Sequence, residues 1–430
     1  MRLGRSSERT DRKVLDLLVG GGQRAKQGQP GWAWGRRFNV VLQTGTYTCS
    51  GSGSVDLQTW ALTEFAPALY SAFCDWLIWS YNENSFGERC VMKIAMLYGP
   101  RDLRIEDLVL DGDNLEADQI YVETEVTGFK IGTDRGNYEG AEQVPGAPDY
   151  PRWVGDSNLG IVKNIGSGVT KFKVGDRVVS RHPHASAYIA RDSESIVVVP
   201  DGIDAEDAVF SHLYALSMHC YTKALFVPGE TVAVVGVGVL GLGAVALGPL
   251  FGARVVALVN SEVRLDMAKQ MGAHEAFLSD DPDLEAKLDA WTAGAGIDLV
   301  ILTANPWPAL RTSMQAVRPN GRVSIVSLPG RGEEPLDFNP LDMRWFYFKG
   351  ISLIAVSEQA GDIYPATGRD RFDNDQRCAH VLSLMQDGRL EPKRLVTHRL
   401  HYSEMVQAYE MAYHREKNML NVVFNWKDQT

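Results

Sequence analysis

Between Pro151 and His184 the chain sets Asp156, Ser157, His182 and His184 among glycine turns and valine-rich strands. Carboxylate and imidazole are metal donors, and they are also the usual carriers of protons in acid–base catalysis. His212 and His219 follow seven residues apart, a separation that puts both on one face of a helix. The five cysteines, Cys49, Cys74, Cys90, Cys220 and Cys378, are scattered without a CxxC pair. That spacing excludes a thiolate zinc knuckle and a disulfide framework, and it points to a reducing cytoplasm.

A second chemistry is written in TVAVVGVGVLGLGAVALGPLFGARVVALVNSE. The apolar run Thr231 to Val235 leads into Gly236-Val237-Gly238-Val239-Leu240-Gly241, then a small-residue helix read over Ala244 to Phe251, then a strand over Arg254 to Val259. This is the setting of the dinucleotide fingerprint. Gly236 permits a tight turn, Gly238 lets a pyrophosphate near the backbone, and Gly241 lets helix and strand pack closely. The loop and helix N-terminus, including Val239 and Leu240, offer backbone N–H groups to the phosphates. Where the second strand ends, an acid would bind the ribose 2′-hydroxyl of NAD(H) and repel a 2′-phosphate. The chain carries Val259, Asn260 and Ser261 there, with Arg264 one turn later. Asn260, Ser261 and Arg264 therefore favour NADP(H) over NAD(H), through charge-assisted hydrogen bonds to the phosphate. As a bland alternative, Arg264 reads as a solvated surface arginine.

The elements that must position these groups follow in rhythm. Strands are expected over IDLVILTA (297–304), GRVSIVSL (321–328) and ISLIAV (351–356), separated by helical stretches. Alternating strand and helix predicts an α/β fold with a doubly wound parallel sheet. Ligands of such sheets bind at the C-terminal strand edges, which places Thr303, Asn305 and Ser327 near a nicotinamide ring. Ahead of the glycine loop the text from Met92 alternates as a β-rich unit does. At 430 residues with 45% hydrophobic and 23% charged residues, the chain can hold two or three domains. The net charge of -11 argues against nucleic acid and anionic membrane as partners and for a small molecule. Residues 1–91 hold Gly/Ser runs and no sustained hydrophobic period, and they read as an unstructured or non-native extension.

Taken together, TGFKIGTDRGNYEG, GDSNLG, VGDRV, the glycine loop and the closing HVLSLMQDGRLEPKRLVTHRLHYSEMVQAYEMA resemble the medium-chain dehydrogenase/reductase family, the zinc alcohol dehydrogenase type. The likeness runs from Met92 to about Trp426. It implies a GroES-like catalytic domain (92–222, completed by 371–430), a Rossmann domain (223–370), an active site in the cleft between them, and a homodimer or homotetramer. The metal ligands of the family do not carry over. Its Cys-Gly-Thr/Ser-Asp pattern reads Ile131-Gly132-Thr133-Asp134, its Gly-His-Glu-x-x-Gly pattern reads Gly155-Asp156-Ser157-Asn158-Leu159-Gly160, and its four-cysteine lobe is missing. Asp156, His212 and His184 remain as candidate donors, few for zinc. The frame of a metal site is kept and its ligands are replaced, so zinc is not expected.

Thr133 matches the proton-relay hydroxyl of the family, while the relay histidine falls at Gly136. The expected mechanism places the Thr133 hydroxyl on the substrate oxygen, His212 or His184 as proton source, and Asp156 orienting that imidazole. The expected activity is hydride transfer between NADP(H) and an alcohol or carbonyl compound without catalytic zinc. A zinc-independent quinone or enoyl reductase is the nearest alternative, and a non-catalytic NADPH-binding protein the next.

Overall fold

The computed structural model describes residues 90–141, 148–357 and 372–427, and five short strands before them. Most of residues 1–91, read above as an extension, lies outside the described residues. The chain divides into two units, Met1–Glu88 and Arg89–Thr430. In the first, Gly4–Ser6, Gly45–Cys49 and Phe38–Leu42 form one antiparallel sheet, and Trp32–Trp34 pairs with Gly53–Val55.

The second unit contains a parallel six-stranded sheet. We label its strands βA (Thr231–Val235), βB (Arg254–Val259), βC (Glu275–Leu278), βD (Ile297–Leu302), βE (Val317–Ile325) and βF (Ser352–Ala355). Their spatial order is C-B-A-D-E-F, every neighbouring pair parallel. Strand runs such as RVVALV and IDLVIL are apolar on both faces because helices cover both faces of a parallel sheet. The order reverses between βA and βD, and such a switch point opens the crevice where dinucleotides bind. The observed bounds differ modestly from those read in the sequence. The helix after the glycine loop begins at Val239 rather than Ala244, and βE begins at Val317 rather than Gly321. In the former case VLGLG is a poor helix former alone, and burial of Val239, Leu242 and Val245 overrides that weakness.

Two further sheets build the β-rich part. In the larger, the long strand Gln119–Phe129 pairs antiparallel with Asn158–Ile165, Ala187–Arg191 and Asn421–Asn425. The last of these brings the C-terminal segment back onto a strand some 300 residues earlier. Arg177–Ser180 pairs with Asn158–Ile165. The smaller sheet joins Cys90–Leu97 to Leu103–Leu110 and to Arg152–Trp153. Phe129 ends the long strand fully buried against Tyr409 and Phe424, and the chain then turns into the short helix Ile131–Tyr138. Strand end, helix start and the Val154–Asn158 turn thereby meet at one place.

Candidate active site

The glycine loop has the geometry its motif demands. Gly236 sits at φ +90°, where a side chain would be strained and a Cβ would lie 2.6 Å from the Ala304 Cβ. A Cβ on Gly241 would lie 1.9 Å from the Gly236 carbonyl oxygen, so helix and turn touch there. Around Gly238, by contrast, nothing stands within 4 Å of a Cβ, which leaves backbone N–H groups open to an approaching phosphate. Thr303 at the end of βD donates its hydroxyl to the Gly236 carbonyl (2.5 Å) and so holds the turn. Asn305 accepts from the Leu328 N–H at 3.0 Å and ties the loops after βD and βE together.

At the far end of the crevice Arg264 donates to the Val237 carbonyl at 2.6 Å, and burial lowers its pKa. The guanidinium therefore packs against the glycine loop rather than standing free in solvent. Ser261, three residues earlier, has a buried hydroxyl with no partner, and so has Ser327 after βE. Buried polar groups are ordinarily hydrogen-bonded. Two orphaned hydroxyls at the carboxyl edge of the sheet are groups that a bound dinucleotide would satisfy. Asn260 is exposed beside Ser261. Val239 and Leu240 open the helix, with Gly238 as its extended cap.

The second cluster forms where the β-rich strands meet the helix Ile131–Tyr138. Lys130, last residue before that helix, pairs its ammonium with Asp156. Arg181 stands 3.6 Å from the same carboxylate oxygen. Burial by itself would raise the Asp156 carboxyl, but the charge and hydrogen bond of Lys130, with Arg181 and His184, hold it below the usual carboxylate range. Asp134 is buried beside this pair and accepts from the Lys130 N–H (2.8 Å) and the Tyr409 hydroxyl (3.2 Å). Burial, with the Asp156 charge adding to it, pushes Asp134 up to about 7.

His184 has no exposed surface, and neither ring nitrogen has a partner. Its ring packs across Gly155, whose φ of +88° and missing side chain make room for it. His212, at the start of the helix Ser211–Lys223, is 6% exposed. Its Nδ1 lies 3.5 Å from the Asn374 amide, and its Nε2 is buried without a partner. Burial lowers His184 to about 3 and His212 to about 4, with the Arg181 and Lys130 charges adding to the fall at His212. Both imidazoles are neutral at neutral pH. A neutral, desolvated imidazole is a weak proton source, and Asp156 is engaged by Lys130 and faced by Arg181. His182 is separate, stacked on Tyr188 at 3.9 Å and 3.1 Å from a Glu194 carboxylate oxygen.

Thr133 is exposed on the helix two residues after Ile131. At Gly136, where a relay histidine was absent from the sequence, a Cβ would lie 3.0 Å from the Arg331 guanidinium, which also donates to Asn137 at 3.3 Å. A loop after βE thus closes onto the Thr133 helix. Sequence reasoning named Thr133, Asp156, His184 and His212 and did not single out Lys130, Arg181 and Asp134, which the fold gathers around Asp156. The available signal was a single lysine after the apolar run VTGF, at the end of a buried strand. A lysine there must find a partner or a ligand.

Among the described residues no three His, Cys, Asp or Glu side chains converge as a metal donor set. No helix among them is long and apolar enough to cross a membrane.

The family models that match are the alcohol dehydrogenase GroES-like domain, over residues 116–234, and the zinc-binding dehydrogenase, over residues 239–367. Sorbitol dehydrogenase of Bacillus subtilis (strain 168) is 26% identical over 363 residues, covering 77% of this chain and 96% of that enzyme. The solved 2R,3R-butanediol dehydrogenase of Bacillus subtilis superposes with a TM-score of 0.64 at 21% identity, covering 78% of this chain and all of that one. A zinc-binding dehydrogenase of Sinorhizobium meliloti 1021, bound to NADP, superposes with a TM-score of 0.64 at 20% identity, covering 79% of this chain and all of that one.

Proposed function

Because the chain belongs to the medium-chain dehydrogenase/reductase family of alcohol dehydrogenase-like enzymes, we propose that it moves hydride between NADP(H) and a small alcohol or carbonyl compound without zinc. It is an NAD(P)-dependent dehydrogenase acting on CH–OH groups or their carbonyl counterparts. The observation that carries the cofactor half is the glycine loop at the switch point of a C-B-A-D-E-F sheet, with Gly238 open and Ser261 and Ser327 unpaired.

The bound nicotinamide supplies the hydride acceptor or donor. The chain holds it by the backbone of Gly236–Gly241, while Thr303 and Asn305 fix the loops beneath the ring. Preference for NADP(H) rests on the missing acid at Val259–Ser261, on the unpaired Ser261 hydroxyl and on the nearby Arg264. In the substrate half, the exposed Thr133 hydroxyl bonds the reacting oxygen, and Arg331 reaches the same helix by its hydrogen bond to Asn137. The relatives' names, a sorbitol and a butanediol dehydrogenase, favour a small polyhydroxy substrate. A homodimer in the cytoplasm is the expected working state.

The donor set does not fit zinc. Zinc asks for three or four N, S or O donors in a tetrahedron. Here Ile131 offers no donor, and Asp156 is already bound to an ammonium and faced by a guanidinium. Two cations at the one carboxylate repel a third. Fluorescence titration with NADPH and NADH, followed by turnover on a panel of polyols, ketones and aldehydes, tests the reading. Tighter NADPH binding and turnover of a hydroxyl or carbonyl compound are expected. Binding without turnover, or turnover of conjugated C=C bonds alone, contradicts it.

A further inference from the structure

We propose that the Lys130 ammonium is the electrophile of this enzyme: it stands at the reacting oxygen and carries out the charge stabilisation that a metal would otherwise supply. The inference rests on the hydride-transfer reading and goes beyond it by assigning a catalytic group that the ligand-based sequence motif does not contain. Lys130 sits directly before Ile131, where the family pattern places its thiolate, and its ammonium reaches Asp156, where that pattern places its histidine. One fixed positive charge therefore occupies the ground between the two substituted ligand positions.

Several observations converge on a ligand there. Lys130 is 16% exposed and Asp156 21%, so the pair is largely desolvated yet still reachable from one side. A carboxylate that merely neutralised the lysine would complete a closed pair, but Arg181 adds a second cation at 3.6 Å and leaves the cluster short of negative charge. Asp134 makes up the deficit only in part, because burial and the neighbouring Asp156 charge push its carboxyl up to about 7 and leave it incompletely ionised near neutral pH. His184 contributes two buried ring nitrogens without a hydrogen-bond partner, and His212 contributes its Nε2. An excess of positive charge beside unpaired neutral nitrogens matches an oxygen that becomes negative during the reaction. Thr133, three residues after Lys130 on the same helix end, supplies a second hydrogen bond to that oxygen.

The step balances without a metal. In the direction of reduction, hydride adds to the carbonyl carbon, the C=O π pair moves to oxygen, and the Lys130 ammonium gives that oxygen one proton. The amine left on Lys130 regains a proton from water through the exposed side of the pair, while Asp156 keeps it in place. Oxidation runs the same path backwards. A preorganised charge of this kind works because it is fixed before charge develops on the substrate.

The test uses the full chain with Lys130→Ala, Lys130→Arg and wild type, NADPH, and the panel of small aldehydes, ketones and polyols. NADPH affinity and the melting temperature report whether each variant is folded. For Lys130→Ala we expect kcat to fall at least about a hundredfold, with NADPH affinity unchanged, and to recover in a saturable way when methylammonium is added. A merely structural lysine would not be replaced by a free amine in solution. Lys130→Arg keeps the charge and is expected to fall between the two. Retention of more than about a tenth of wild-type kcat in Lys130→Ala overturns the assignment, and so does a loss that neither methylammonium nor arginine relieves in a folded variant. Chelator-sensitive wild-type activity restored by zinc overturns it as well. Wild type that binds NADPH and turns over no hydroxyl or carbonyl compound overturns the hydride-transfer reading instead, and the Lys130 assignment falls with it.

Discussion

At the scale of single residues, the site combines groups whose protonation is set by burial. Thr133 is the exposed hydroxyl nearest the Lys130–Asp156 pair in sequence. Thr133→Val should lower kcat by about a hundredfold or more while leaving the NADPH dissociation constant as in wild type; equal turnover would remove Thr133 from the mechanism. Arg264→Ala should weaken NADPH binding more than NADH binding, and equal losses for both would mean that the guanidinium only braces the Val237 carbonyl. The buried imidazoles also make a stability prediction. His184 at about 3 and His212 at about 4 lie below the ordinary 6.5, so the unfolded chain binds protons first as pH falls. Their contribution is complete above pH 6.5 and shrinks as pH falls, down to about 4 for His212 and about 3 for His184, by up to ~1.4 kcal/mol per pH unit for each ring. Asp134, raised to about 7, acts in the opposite sense: the folded state holds its proton longer, so stability from this group falls as pH rises from about 4 to 7. Urea unfolding of His212→Gln across pH 4 to 6.5 should therefore show a shallower acid loss than wild type. An unchanged slope would mean that His212 is not buried neutral. Polar residues drawn from the motifs were legible in the sequence because their order marks them. Lys130 was not, because only the fold reveals that the end of the strand Gln119–Phe129 points the next side chain at Asp156.

At the scale of elements, the glycine loop and its strands were readable because local pattern and packing agree. βA and βB have the bounds that their apolar runs predict. The helix between them starts earlier than its composition suggests, since its first turn is defined by what it packs on and not by propensity. Gly241 is the position where that packing is least forgiving. Gly241→Ala places a methyl 1.9 Å from the Gly236 oxygen, and it should cost about 3 kcal/mol of stability and most of the dinucleotide affinity. A variant that melts and binds like wild type would show that the loop has room that its geometry denies. The path of the C-terminal segment was harder to read. Its strand Asn421–Asn425 finds its partner through contacts nearly 300 residues away, for which local sequence carries no register.

At the scale of the whole molecule, charge and composition argued for a small-molecule partner, which agrees with the family to which the chain belongs. βF is the last strand of the parallel sheet, and its flank Leu341, Met343, Tyr347 and Phe348 is exposed. Among the described residues no strand pairs with the outer edge of βF, and an open edge beside large apolar side chains is the face we expect to pair with a second copy. Light scattering should give a mass of twice 47.5 kDa or a higher multiple, reduced by Tyr347→Asp with Phe348→Asp; a wild-type monomer would contradict this face as an interface. The measurement that reaches furthest is the metal content of the purified full-length protein, by elemental mass spectrometry after gel filtration without chelator. Catalysis by fixed donors around Lys130 predicts zinc below about a tenth per chain in fully active protein. About one zinc per chain, lost together with activity in Asp156→Ala, would mean that the site is a rebuilt metal centre and that the ammonium does not stand in its place.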